Sequence, residues 1–316
     1  MIDKIIFLGT SAGMPTNNRN VSSLAVLFDH GKNFWLFDCG EGTQQQLIRA
    51  GLKLSKLNSI FITHLHGDHL FGLPGLLATR GLQGVKTNID IFGPIGLQDY
   101  LRSSFEYSET YIPYHLKIHQ IEKEKYLTKR LLWKKENHSV FSAVLDHQMD
   151  SFGYMIISKE KKSNILPEQL IKLGIQPGPI YKDIKEKRKI ILKDGRVIDS
   201  DFFIKTVVRV KKICYCGDTV FSKNAIDLSR NADILIHEAT FSDQEEYKAK
   251  KSFHSTIGDA INIAKLANVK KLVLTHISPR YERSSDNNER WDEFQANANS
   301  QLPETIVAYD FLEIKI

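Results

Sequence analysis

The run THLHGDHLFG, Thr63 to Gly72, places His64, His66, Asp68 and His69 within six residues, directly behind the apolar stretch Ser59-Ile60-Phe61-Ile62. A strand that ends in four polar donors and opens into a helical pattern over Leu73–Leu82 is a strong constraint on folding. Loops at the carboxyl ends of strands are where α/β folds present their chemistry. Imidazole and carboxylate are the usual ligands of zinc and similar ions. Four donors in one turn cannot all reach a single metal in good geometry. They can reach two adjacent metals, His64 and His66 facing one, Asp68 and His69 the other, and each metal then needs further ligands from elsewhere, one of them shared.

Short apolar strands recur along the chain: Ile5–Leu8, Leu24–Phe28, Phe34–Phe37, Ile60–Ile62, Ile89–Phe92, Val140–Leu145, Tyr154–Ile157, Ile213–Cys216, Ile234–Ile236 and Leu272–Leu274. Helical patterns fall between them over Gln44–Ala50, Leu73–Leu82 and Leu97–Phe105, and behind Ser255-Thr256, where Ile257, Ala260, Ile261 and Ala264 share one face. This interleaving predicts a layered α/β fold without internal repeats. Three further donors stand at three later strand ends: His147, Asp218 and His276. They are the candidates for the ligands that the first cluster lacks.

The motifs resemble the metallo-β-lactamase superfamily, with HxHxDH at His64–His69 as its central motif, and within it the ribonuclease Z family of tRNA 3′-processing endonucleases. The similarity extends to FLGTSAGMPTNNRN (Phe7–Asn20), DCGEGTQQQL (Asp38–Leu47), GLPGLL (Gly72–Leu77), SFGY (Ser151–Tyr154), GDT (Gly217–Thr219), HEATF (His237–Phe241), HST (His254–Thr256) and THISPRY (Thr275–Tyr281), in order and in spacing. Asn17, where relatives often carry a basic residue, and Gln148-Met149-Asp150 depart from the family pattern.

The resemblance implies a metallo-β-lactamase fold, a four-layer αββα sandwich spanning 1–316 as one domain with a flexible tRNA-binding arm inserted at about 165–202. It implies two Zn2+ per subunit, although the ligand types alone also admit Mn2+ or Fe2+. One ion would take His64, His66 and His147, the other Asp68, His69 and His276, with Asp218 bridging. Asp68, ligand and nearest carboxylate, would orient the attacking water and accept its proton. His254 would protonate the leaving 3′ oxygen, oriented by Glu238. The expected activity is hydrolysis of precursor tRNA, leaving a 3′-hydroxyl on the tRNA and a 5′-phosphate on the trailer, by a homodimer.

Charge bears on the substrate. Lys159 to Lys212 holds 15 basic and 7 acidic residues, a net of +8, while the whole chain carries +6. Such a localised excess suits a polyanion grip or a solvated basic loop. Gly174-Ile-Gln-Pro-Gly-Pro179 and the charged run Lys182–Lys189 lie inside it, and no strand–helix unit is evident over Ile165–Phe202. A small-molecule phosphodiesterase of the same fold would not need the basic segment, and a non-catalytic RNA-binding scaffold would not need seven intact ligands. Three cysteines, Cys39, Cys214 and Cys216, make no disulfide framework and point to a reducing cytoplasm. No apolar run approaches the roughly 20 residues of a membrane span. Alternation puts Cys214 and Cys216 on one buried strand face, and His30, His115, His119, His138 and His237 read as surface or structural histidines.

Overall fold

Every residue of the strand Ser23–Phe28 is buried, as are four of the five in Leu57–Phe61. Strands of this kind need cover on both faces, and the chain supplies it with two sheets and two sets of helices. The structure is a computed structural model and describes residues 1–123, 129–135, 137–192, 194–282 and 288–316. The first sheet runs, in spatial order, Glu313–Lys315, Ile2–Gly9, Ser23–Phe28, Asn33–Phe37, Leu57–Phe61, Ile89–Pro94 and Leu116–Ile121. Pairing is antiparallel as far as Asn33–Phe37 and parallel beyond it. The second sheet runs Ile306–Val307, Leu272–Thr275, Ile234–Glu238, Ile204–Cys216, Ser151–Ile165, His138–Leu145 and Arg130–Lys135.

Three apolar clusters make the layers. Phe7, Phe37, Phe61 and Phe92 of the first sheet meet Tyr154, Ile156, Tyr215 and Ile236 of the second. Outside the first sheet, Leu36, Ile60 and Ile62 pack on helices Thr43–Arg49, Leu73–Leu82 and Leu97–Tyr107 through Leu47, Leu73, Leu76 and Leu101. Outside the second, Cys214, Leu235 and Leu274 pack on helices Lys223–Ser229, Ile257–Leu266 and Asn288–Gln301. The result is the expected αββα sandwich. The capping box of Thr256 and Asp259 starts the helix Ile257–Leu266 and so fixes the chain direction just after His254.

Met1–Ile157 and Lys211–Ile316 form one compact unit, and Ser158–Val210 forms a second. The second unit corrects the reading that Ile165–Phe202 lacks strand–helix structure. It contains helices Pro167–Lys172 and Ile180–Glu186 and a hairpin of Lys189–Ile191 with Val197–Asp199. Leu170, Ile175, Ile184, Ile190, Leu192 and Ile198 give it a core of its own. Elements of three to seven residues are too short to show a hydrophobic period.

The strands Ser151–Ile165 and Ile204–Cys216 are also longer than their apolar halves predict: both outer halves are largely exposed, the first polar and the second mixing Val207, Val208 and Val210 with Lys205 and Arg209. Those outer halves carry most of the basic excess. Residues 165–202 hold eight basic and six acidic side chains, whereas 159–164 and 203–212 together hold seven basic and one acidic. Ser163 Oγ lies 3.3 Å from Thr206 Oγ1, so these two side chains share a face. By alternation Lys162, Lys205 and Arg209 project on the other, and all three are exposed.

Phe61 stacks between Phe37 and Phe92 at centroid distances of 4.8 Å on each side. It ends the strand that leads into the histidine run. Phe61→Ala should cost about 3–5 kcal/mol, read as a lower urea midpoint at unchanged m-value. A loss below about 1 kcal/mol would show that the cavity collapses freely.

Candidate metal centre

The histidine run leaves the strand Leu57–Phe61 and enters a single helical turn, Gly67–Leu70. Close backbone packing holds it. A Cβ on Gly40 would stand 2.2 Å from the Asp68 carbonyl oxygen, so only glycine lets the Asp38–Gly42 loop lie this near. Asp218 and His276 follow the strands Ile204–Cys216 and Leu272–Thr275, and His147 follows His138–Leu145.

The structure brings these seven side chains together as two overlapping groups. His64, His66, His147 and Asp218 present ligand atoms within 4.8 Å of one another, and so do Asp68, His69 and His276. Asp218 reaches both groups: Oδ2 lies 3.5 Å from His64 Nε2 and 3.4 Å from His276 Nε2, and Oδ1 lies 3.5 Å from His69 Nε2. Asp68 Oδ2 lies 3.2 Å from His276 Nε2 and accepts the Gly13 N–H at 2.8 Å.

The outer nitrogens show which way the lone pairs point. His69 Nδ1 lies 2.8 Å from the Asp38 carboxylate and His147 Nδ1 lies 2.7 Å from the Phe253 carbonyl. Both acceptors lack a proton, so each Nδ1 is the donor, and in the neutral ring each Nε2 carries the lone pair. Thr63 Oγ1 is held by Asp38 and lies 3.0 Å from His64 Nδ1, which places the His64 Nε2 lone pair inward as well. Inside the cluster, His69 Nε2 is 3.3 Å from His276 Nε2, His64 Nε2 is 3.1 Å from His66 Nδ1, and His147 Nε2 is 3.3 Å from that same nitrogen. Ring nitrogens converging at these distances need a proton or a metal cation among them. The donor set therefore fits divalent metal ions, and its N and O chemistry fits zinc.

Electrostatics agree. Burial, reinforced by repulsion from His69, holds the His64 ring well below the usual histidine range, as a neutral ligand requires. Burial works against a charge on His69, but Asp218, Asp68 and Asp38 outweigh it and push its pKa well above that range. Three carboxylates focused on one buried ring make a field that a metal cation would share. Burial likewise opposes the charge of Asp218, and His276, His69 and His64 overcome it.

Beside the cluster, His254 Nδ1 lies 2.9 Å from Glu238 Oε1 and 3.8 Å from Asp218 Oδ2. Burial disfavours its charge, but Glu238 and then Asp218 raise its pKa to about 9. Glu238 is buried and also accepts the Thr219 N–H. His237 donates from Nδ1 to the Glu238 carbonyl, and His119 pairs with Asp90 at 2.9 Å, both away from the cluster. Cys214 and Cys216 are buried with their sulfurs 4.0 Å apart. Asn17 is exposed.

Sequence reasoning missed the residues that orient the ligands. Asp38 accepts from the Thr63 N–H and hydroxyl, His69 Nδ1 and the Tyr215 hydroxyl. Its φ of 56° is left-handed, a conformation that Asp tolerates better than most. Its position at a strand end, at the head of the DCGEGTQQQL motif, was the available signal.

Matches to known proteins follow the same lines. The family described as anti-Pycsar protein Apyc1 matches residues 3–160, and the beta-lactamase superfamily domain matches residues 202–277. The chain is 43% identical to the ribonuclease Z of Acaryochloris marina over 99% of its own length and 97% of that protein. It is 42% identical to the ribonuclease Z of Listeria monocytogenes over 97% of each. The crystal structure of human tRNase Z, short form, is similar with a TM-score of 0.70 and 32% identity, covering 98% of both chains.

Asp38→Asn puts an amide where four donors converge, and the amide nitrogen cannot accept. Loss of such an outer partner typically costs 10–100-fold in metal affinity. Competition with a chromophoric chelator should show a loss of about that size with the circular dichroism spectrum retained. Unchanged affinity would mean that Asp38 does not orient His69.

Proposed function

The chain belongs to the ribonuclease Z family of the metallo-β-lactamase superfamily, and from that membership and the strand-end cluster we propose that it is a metal-dependent endoribonuclease that removes the 3′ trailer from precursor tRNA. The observation that carries the reading is the pairing of two donor groups around Asp218 with a separate His254–Glu238 dyad at their edge. Phosphodiester hydrolysis needs both a means of activating water and a proton for the leaving oxygen.

His64, His66 and His147 would hold one Zn2+, Asp68, His69 and His276 a second, and Asp218 would serve both. When bound, a pair of such ions lowers the pKa of water toward about 7 and neutralises charge on the phosphoryl oxygens. Asp68, fixed by the Gly13 N–H, orients the water and takes its proton. The water oxygen bonds to phosphorus as the bond from phosphorus to the 3′ oxygen breaks. His254 gives that oxygen its proton from Nε2, since Nδ1 is engaged by Glu238. The products are a tRNA with a 3′-hydroxyl and a trailer with a 5′-phosphate.

Residues 158–210 serve as the tRNA-gripping arm in this reading, and the exposed Lys162, Lys205 and Arg209 are its phosphate-binding side chains. Three free, buried cysteines suit a reducing cytoplasm, and the family resemblance supports a homodimer.

Incubation with a precursor tRNA carrying a 3′ trailer should yield those two ends. In single-turnover assays, His254→Ala should slow cleavage by about 10²–10⁴-fold with metal content unchanged. A rate within about twofold of wild type would remove the acid role from His254. The triple variant Lys162→Ala, Lys205→Ala, Arg209→Ala should bind precursor tRNA more weakly. The slope of log affinity against log salt should flatten by about 0.9 for each duplex phosphate that the variant no longer neutralises. An unchanged slope would leave the arm without a role in RNA binding.

A further inference from the structure

We infer that Thr240 is a positioning residue that couples the proton donor to the metal ligand His276 through one shared hydroxyl. The inference rests on the metal-dependent reading above. Thr240 is buried and stands two residues beyond Glu238, just past the strand Ile234–Glu238. Its Oγ1 lies 2.6 Å from Glu238 Oε2, 2.8 Å from His276 Nδ1 and 3.0 Å from the His276 carbonyl oxygen.

A hydroxyl has one proton to give. The shortest approach is to the Glu238 carboxylate, and charge-assisted bonds of this kind are the stronger ones. With its proton given to Glu238, the Thr240 oxygen can only accept from His276. His276 must therefore carry its proton on Nδ1, which leaves the Nε2 lone pair directed at His69, Asp68 and Asp218. In the other tautomer Nε2 would bear a proton and could not ligate a metal, while the lone pair would point at Thr240 instead.

The same bond holds the far side of the acid dyad. Glu238 Oε2 accepts the Thr240 N–H and hydroxyl, while Oε1 accepts the Thr219 N–H and faces His254 Nδ1. All the acceptor positions used are thus assigned, and the carboxylate cannot rotate without breaking several of them. One hydroxyl sets the tautomer of a ligand and the orientation of the group that orients the acid. His276 itself has a left-handed φ of 55°, so its backbone is also held in a sparsely populated conformation.

The test compares Thr240→Val, which keeps the shape and removes the hydroxyl, with Thr240→Ser, which keeps the hydroxyl. Zinc affinity is read by chelator competition, and single-turnover cleavage of precursor tRNA is read at saturating zinc. Thr240→Val should lose about 10–100-fold in affinity for the zinc that His276 would hold, and Thr240→Ser should restore most of it. At saturating zinc, Thr240→Val should cleave more slowly than wild type but no more slowly in a His254→Ala background. If Thr240→Val does not fold, Thr240→Ala against Thr240→Ser carries the same comparison. Wild-type zinc affinity in Thr240→Val or Thr240→Ala, or equal damage in Thr240→Ser, would overturn the coupling. Failure of the wild type to cut precursor tRNA while it binds zinc would instead count against the substrate reading, and the zinc comparison would still decide the role of Thr240.

Discussion

His69 Nε2 and His276 Nε2 face each other at 3.3 Å, and with each Nδ1 held as the donor, the neutral form of each ring directs a lone pair at the other. His69 follows the first sheet and His276 follows the second, so this meeting of lone pairs is also where the two halves of the sandwich converge. Most of the local structure serves to hold it. Asp38 pins His69 from one side, and Thr240 pins His276 from the other. Gly40 lets the loop of Asp38 approach the histidine run, and Asp218 spans the space between the two donor groups.

This arrangement separates two kinds of stability. The aromatic and aliphatic layers drive folding through burial, at roughly 25 cal/mol per Å² of apolar surface. The converging imidazoles and carboxylates are expensive to bury without a cation. Their cost is tolerable because the outer nitrogens of His64, His69, His147 and His276 each have a partner and their inner nitrogens share a common target. The fold thus provides a preorganised donor set, and metal binding would add to its stability by mass action.

The layered fold was legible because the central strands of both sheets are buried on both faces and appear as apolar runs such as Leu24–Phe28 and Ile234–Ile236. The seven donors were legible because they sit at strand ends in a recognisable order. What the sequence obscured has physical reasons. The helices Pro167–Lys172 and Ile180–Glu186 are too short to show a period, the outer half of Ser151–Ile165 is polar, and that of Ile204–Cys216 interrupts its exposed valines with Lys205 and Arg209. The location of the basic excess on those strand halves followed only once their extent was known. Asp38 and Thr240 were hidden for another reason: an orienting role depends on which atoms meet in space, and neither residue type announces it.

The most direct test is a zinc titration of metal-stripped protein, followed by calorimetry and by cleavage of a precursor tRNA in the same samples. The arrangement around Asp218 predicts two equivalents bound per chain, with cleavage appearing as the second site fills. Binding of a single equivalent with full cleavage, or cleavage that persists in the stripped protein, would contradict it.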